Sequence, residues 1–243
     1  MQITYLLNSG FAVTWGSTLL VFDDYKDPQG VIARLLPQAR EVYFFVSHAH
    51  FDHFDMHILD YAPWVHMYFM SKEIYRTKRG RRFPEEKVAY LDNYETYEDA
   101  SIRVESFDST DTGTSFRVTK DNVQIFHAGD FNWWHWKGDT EENNKLARNA
   151  FQKQMRRLDE LEADVAFFPV DGRLEEFKDI GVKEFCARTK VQALVTMHNV
   201  GYPAWQVPQG FFAENQAIPV WSPTEPGESR RLIKGEGFLP CED

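Results

Sequence analysis

The chain has 243 residues, 43% of them apolar, and a formal net charge of −10. That length suits one α/β domain, and that apolar fraction supports a sizeable core and excludes disorder. The acidity offers no long-range attraction to nucleic acid, and no run approaches the ~20 apolar residues of a membrane span.

Residues 2–7, 11–15 and 18–23 read as three short strands, separated by the turn signals Asn8-Ser9-Gly10 and Gly16-Ser17. Asp23 and Asp24 close the third strand. Turn statistics favour solvated side chains for both, and Asp23 could instead stand behind a ligand histidine. Asp27-Pro28 opens a helix, with Asp27 as its cap and Pro28 in the first position. Val31, Ile32, Leu35 and Leu36 form its apolar face, and Pro37 ends it. Val42-Tyr43-Phe44-Phe45-Val46 is a continuous apolar run, the pattern of a buried strand over 41–46. It leads directly into Ser47-His48-Ala49-His50-Phe51-Asp52-His53. Loops at strand ends are where α/β folds place ligands. Neutral imidazole and carboxylate together are ligands for zinc, and they also suit iron and manganese.

Residues 54–61 suggest a short helix with Ile58 and Leu59 inward, which would set Asp52 and His53 near its positive N-terminus. His57 then lies at the surface or behind a ligand. Val65–Met70 is the next strand, with His66 turned to solvent or a packed neighbour. Arg76, Lys78, Arg79, Arg81 and Arg82 follow closely. They read either as a solvated loop or as an anchor for an anion such as a sugar phosphate, with Arg79 and Arg81 as candidate contacts. Strands are expected at 101–107, 115–119 and 122–127, the last two joined by an Asp121-Asn122 turn. A helix over 143–162 places Leu146, Ala150, Phe151, Met155, Leu158 and Leu161 on one face. Strand 165–170, a helix over 174–189 interrupted near Gly181, strand 192–197 and a last strand near 231–233 complete the chain.

These motifs carry a resemblance. Residues 48–53 match the HxHxDH signature of the metallo-β-lactamase superfamily. Phe126-His127-Ala128-Gly129-Asp130 resembles its strand-then-Gly-Asp element, and Met197-His198 after an apolar run resembles its last histidine. The chain is most similar to the lactonase-like branch of the ascorbate-6-phosphate lactonases. The resemblance implies an α/β fold, a four-layer αββα sandwich, in a single domain spanning 1–243. It also implies two adjacent metal positions: His48 and His50 in the first, Asp52, His53 and His198 in the second, and Asp130 bridging. One family histidine has no counterpart, because the chain there reads Asp108-Ser109-Thr110-Asp111-Thr112-Gly113. Asp111 or Ser109 could complete the first position, which would favour a harder metal. His135, from Trp133-Trp134-His135-Trp136, could do so instead, or the second position alone could be filled. Trp134 and its neighbours would suit a substrate wall, and His127 would be packed.

The implied activity is hydrolysis of a small ester, lactone or phosphate-bearing molecule. Water activated by zinc, manganese or iron (one ion or two) would attack, and Asp52 would serve as both ligand and proton carrier. The alternatives are a phosphodiesterase or nuclease, and a metal-binding sensor without hydrolysis. Cys186 and Cys241 form no disulfide framework and the N-terminus resembles no signal peptide, which together suggest a cytoplasmic protein. The expected partner is a small-molecule substrate, and the sequence does not set the oligomeric state.

Overall fold

Where the apolar runs are unbroken the strands are covered on both faces. In the computed structural model, which describes residues 1–213 and 216–241, the strands are β1 (Gln2–Leu7), β2 (Gly10–Trp15), β3 (Thr18–Phe22), β4 (Glu41–Val46), β5 (Met67–Ser71) and β6 (Val88–Leu91). They continue as β7 (Thr96–Glu98), β8 (Arg103–Asp108), β9 (Thr114–Lys120), β10 (Val123–His127), β11 (Glu162–Ala163) and β12 (Val165–Pro169). The last are β13 (Lys190–Val191), β14 (Leu194–Met197), β15 (Val220–Trp221), β16 (Ser229–Ile233) and β17 (Gly237–Pro240). The chain divides into two units, Met1–Asp92 with Pro223–Asp243, and Asn93–Ser222.

Among the described residues, the first unit holds an eight-stranded sheet in the order β17-β16-β1-β2-β3-β4-β5-β6. Strands β3 to β6 run parallel, and the pairs from β17 to β3 are antiparallel. β4 lies inside the parallel part, where both faces of a strand are covered. Val42 to Val46 are accordingly buried. Phe44 joins Val21, Phe54, Tyr68 and Met70 in one core cluster, while Phe45 stacks between Phe22 and Phe69 on the other face, with ring centroids 4.7 and 5.2 Å away.

Two helices here depart from expectation. α1 covers Val31–Leu35, later than the sequence suggests, and Pro28 lies in the turn before it. Asp27 still caps it, by accepting a hydrogen bond from Ile32 N at 2.8 Å, while Gly30 takes the left-handed turn into the helix at φ 60°. The helix expected at 54–61 is a 3₁₀ turn over Met56–Tyr61, with Ile58 buried and Leu59 half-buried. Asp55 satisfies its N-terminal donor, so Asp52 and His53 do not cap it. α2 is the short segment Lys72–Tyr75.

Among its described residues the second unit holds a seven-stranded sheet, β15-β14-β12-β10-β9-β8-β7, and a small β11-β13 pair. Asp121 and Asn122 turn between β9 and β10 with φ of 51° and 63°, the tight hairpin their side chains tolerate. α3 (Glu141–Leu158) is capped by Thr140 and ends before Leu161. Only the C-terminal part of its apolar face is covered: Phe151, Met155 and Leu158 are buried, but Leu146 is 61% exposed. The helix expected at 174–189 is a 3₁₀ turn over Gly172–Phe177 followed by α4 (Ile180–Arg188). The break falls at residues 178–179, near Gly181 as expected, and at Gly181 itself a Cβ would collide with Asn132 Oδ1. β10, β12 and β14 are parallel neighbours. Their C-terminal ends therefore deliver the chain to the same edge of the sheet.

No described helix is long and apolar enough to cross a membrane. Phe44→Ala is expected to lower the unfolding free energy by about 3–5 kcal/mol in urea denaturation, because the core cannot fill the ring's space. A loss of about 1 kcal/mol or less would show that this layer collapses around the gap.

Candidate metal centre

In the first unit, the parallel pairing of β3 with β4 brings Asp23 beside Ser47. Asp23 is 1% exposed, which corrects the solvated reading. A carboxylate this deep needs donors, and it has them. Ser47 N and Ser47 Oγ each donate to it at 2.7 Å, and His53 Nδ1 lies 2.8 Å from Oδ2. Ser47 has one hydroxyl proton and gives it to Asp23, so its oxygen accepts from His48 Nδ1 at 2.9 Å. One buried carboxylate thus keeps the protons of both rings on Nδ1 and leaves both Nε2 lone pairs on the side of each ring away from Asp23.

His48 Nε2 lies 3.0 Å from His50 Nδ1. Two nitrogens bound tetrahedrally to zinc at 2.0–2.1 Å are about 3.3 Å apart, so this spacing suits a pair of ligands on one cation. His53 Nε2 lies 3.8 Å from Asp52 Oδ2. Asn8 Nδ2 donates to that carboxylate at 3.2 Å, from the β1–β2 turn.

Asp24 is also buried, again correcting the solvated reading, and its Oδ2 meets His57 Nε2 at 3.2 Å. Burial pushes the Asp24 pKa up, against the bond from His57. Burial opposes charge on His57 too, but Asp24 and Asp55 outweigh it and raise its pKa to about 9. His57 is therefore part of an ion-pair cluster beside the loop. His66 is exposed and accepts from Val42 N. In the basic run, Arg81 is exposed, whereas Arg79 points under the histidine loop and donates to the Ala49 and Phe54 carbonyls.

In the second unit, Asp130 follows β10 and is 5% exposed. Its Oδ1 lies 3.5 Å from His198 Nε2. Asp111 brings a carboxylate oxygen within 4.8 Å of that of Asp130. The approach has a local cause: Thr110 Oγ1 donates to Asn132 O at 2.6 Å and accepts from Asn132 N at 2.9 Å, tying the two loops together. Ser109 Oγ accepts from Asp111 N within the same turn. His135 packs instead on Phe177, with ring centroids 4.0 Å apart. Trp134 donates to Asp130 O, and its ring meets the His198 ring edge-on at 5.7 Å. His127 is buried, accepts from Gly129 N and lies against Phe167.

His198 sits just past β14 with φ 61°, its Nδ1 3.0 Å from Asp171 Oδ2. Asp171 was not singled out from sequence. It follows β12, is 1% exposed, and accepts from the backbone N–H and guanidinium of Arg173. Burial opposes its charge, but the bonds from His198 and Arg173 hold its pKa below the usual carboxylate range. Each unit therefore carries the same device: a buried aspartate on Nδ1 of a histidine whose Nε2 faces another carboxylate. It is Asp23–His53–Asp52 in one unit and Asp171–His198–Asp130 in the other.

No protein-family model and no curated protein matches the sequence. Solved structures do match. Igni18, a metallo hydrolase from the archaeon Ignicoccus hospitalis KIN4/I, is 16% identical over 94% of this chain and 96% of its own, with a TM-score of 0.61. The metallo-β-lactamase fold protein YhfI from Bacillus subtilis is 11% identical over 94% of this chain and 97% of its own, with a TM-score of 0.53.

The chain has the metallo-β-lactamase fold.

CmlA, a diiron β-hydroxylase from Streptomyces venezuelae, is also similar. It is 13% identical over 81% of this chain and 44% of its own, with a TM-score of 0.54. Likeness of fold does not fix the chemistry, which is argued from the site.

His57 supplies a pH prediction. Its folded pKa, about 9, lies above the ordinary 6.5. Its contribution to stability is thus whole below the ordinary value and is lost as pH rises through about 9. The stability gap between wild type and His57→Ala should accordingly be largest near pH 6.5 and narrow as pH rises through about 9 in denaturant titrations. A gap independent of pH across that window would contradict the charged pair.

Proposed function

We propose that the chain is a metal-dependent hydrolase whose histidine and carboxylate donors hold one or two divalent cations. The observation that carries this reading is the repeated device, Asp23–His53–Asp52 and Asp171–His198–Asp130. A buried carboxylate behind a histidine is the arrangement that orients a metal ligand. In this proposal His48 and His50 hold the first position, Asp52, His53 and His198 the second, and Asp130 is shared. Asp111 takes the place of the absent histidine, since its turn is tied beside Asp130. The nitrogen and oxygen donor set fits zinc, and the added carboxylate makes manganese or iron acceptable.

A cation bound there would supply a water acidic enough to act as nucleophile near neutral pH, and a Lewis acid for the substrate oxygen. The chain's own residues do the rest. Asp23 and Asp171 keep the ring protons on the far nitrogens. Asp52, its side chain 31% exposed and steadied by Asn8 Nδ2, takes the proton released by water and passes it to the leaving group. Trp134 offers a flat apolar wall beside His198 for the rest of a small ester or lactone. Engagement of Arg79 beneath the loop weighs against its serving as a phosphate anchor.

A second reading, an iron-dependent hydroxylase, is favoured by the likeness to CmlA together with the carboxylate-rich first position. Metal identity together with hydrolytic activity separates the two.

Protein purified without added metal should carry one or two equivalents, and His198→Ala should lose about one. Unchanged metal content would contradict the ligand assignment. The wild type should hydrolyse members of a panel of lactones, thioesters and bis(p-nitrophenyl) phosphate, and Asp52→Asn, assayed with metal in excess, should lower the rate by about 10²–10⁴-fold. Iron content with no hydrolysis across the panel would favour the hydroxylase.

A further inference from the structure

The residue between the two ligands of the first position is Ala49, and both of its backbone polar groups are held by charged side chains. Ala49 N donates to Glu73 Oε1 at 2.9 Å. Ala49 O accepts from Arg79, whose other terminal nitrogen donates to Phe54 O at 3.0 Å. The guanidinium also lies over the Phe54 ring, 4.8 Å from its centroid. Arg79 therefore spans the loop from Ala49 to Phe54, the stretch that carries His50, Asp52 and His53.

Glu73 and Arg79 come from one tight reversal after β5. Glu73 is in α2, and the chain then turns back through Arg76 N to Glu73 O at 3.0 Å and Thr77 N to Ile74 O at 2.9 Å. Thr77 Oγ1 donates to Ile74 O and accepts from Gly80 N. Gly80 is buried where a Cβ would collide with the Ile74 carbonyl, so the reversal closes only around glycine. A negative and a positive side chain thus leave the same turn and grip the N–H and the C=O of one peptide segment. Charge-assisted bonds of this kind are stronger and more directional than neutral ones.

We infer that Glu73 and Arg79 are positioning residues that set the bite of His48 and His50. This rests on the metal-centre reading above. A neutral surface turn could end β5 equally well, and nothing in the packing of β5 calls for a carboxylate and a guanidinium aimed at Ala49. Residues 49 and 50 lie in a bend, outside any strand that would fix the two rings, so their directions depend on how the Ala49 peptide groups are held. Fixing Ala49 at both ends holds the two imidazole nitrogens at 3.0 Å before any cation arrives. The arrangement also accounts for one member of the basic run: Arg79 is turned inward, while Arg76, Lys78, Arg81 and Arg82 remain exposed.

The test is zinc affinity of the full chain, read by competition with a chromophoric chelator, beside thermal melting of the metal-free protein. Glu73→Ala and Arg79→Ala should bind zinc about 10–100-fold more weakly, the usual effect of losing a group that orients a ligand. Glu73→Gln keeps an acceptor and should bind within about threefold of wild type, while Arg79→Lys, which reaches one carbonyl rather than two, should be about tenfold weaker. Arg82→Ala should match wild type. If the alanine variants do not fold, the glutamine and lysine variants decide the matter. Lower melting temperatures with wild-type zinc affinity would overturn the inference, since the grip would then only stabilise the fold. Wild-type protein that binds no zinc would instead overturn the metal-centre reading itself.

Discussion

The constraint on which this structure depends is a carboxylate taken out of water. Asp23 ends β3, is buried, and is kept there by donors from Ser47 and His53 on the segment that leaves β4. Its burial is tolerable only because those bonds replace water. The bonds in turn settle the tautomers of His48 and His53, so the same interaction that holds the loop to the sheet decides which nitrogens it presents. Asp171 does the corresponding work for His198 from the end of β12, with Arg173 supporting its negative charge.

Both devices depend on parallel strands. Neighbouring parallel strands end at one edge, so residues distant in sequence leave it side by side. β3 and β4 place Asp23 beside Ser47, and β10, β12 and β14 place Asp130, Asp171 and His198 in succession. The loops are then pinned individually: Ala49 by Glu73 and Arg79, Asp52 by Asn8, Asp111 through Thr110 and Asn132. Cation-binding chemistry needs donors placed to within about 0.5 Å, and in the proposed site these bonds would supply that placement.

How much was legible follows from where each signal resides. β4 and the histidine loop were plain because a strand buried on both faces writes itself as an unbroken apolar run. The β9–β10 hairpin was plain because Asp121-Asn122 suits positive φ. α1 was misplaced because Asp27 caps it from five residues upstream, across a turn that spacing alone does not reveal. Asp23 and Asp24 read as solvated turn residues because turn statistics carry no knowledge of burial, which here comes from β4 and from His57. The choice between Asp111 and His135 as neighbour of Asp130 was open because it depends on Thr110 reaching Asn132, a tertiary contact. Asp171 had only a weak signal, an aspartate beside a glycine at a strand end, which becomes visible once Gly129-Asp130 is seen in the same position.

The central proposal is that the rings of His53 and His198 are metal ligands. Anomalous scattering from metal-loaded crystals, recorded at the absorption edge of the bound element, measures this directly. The proposed ligand set predicts a metal peak about 2.0–2.1 Å from His53 Nε2 and a metal peak at the same distance from His198 Nε2. No peak at either nitrogen in fully loaded crystals would contradict it.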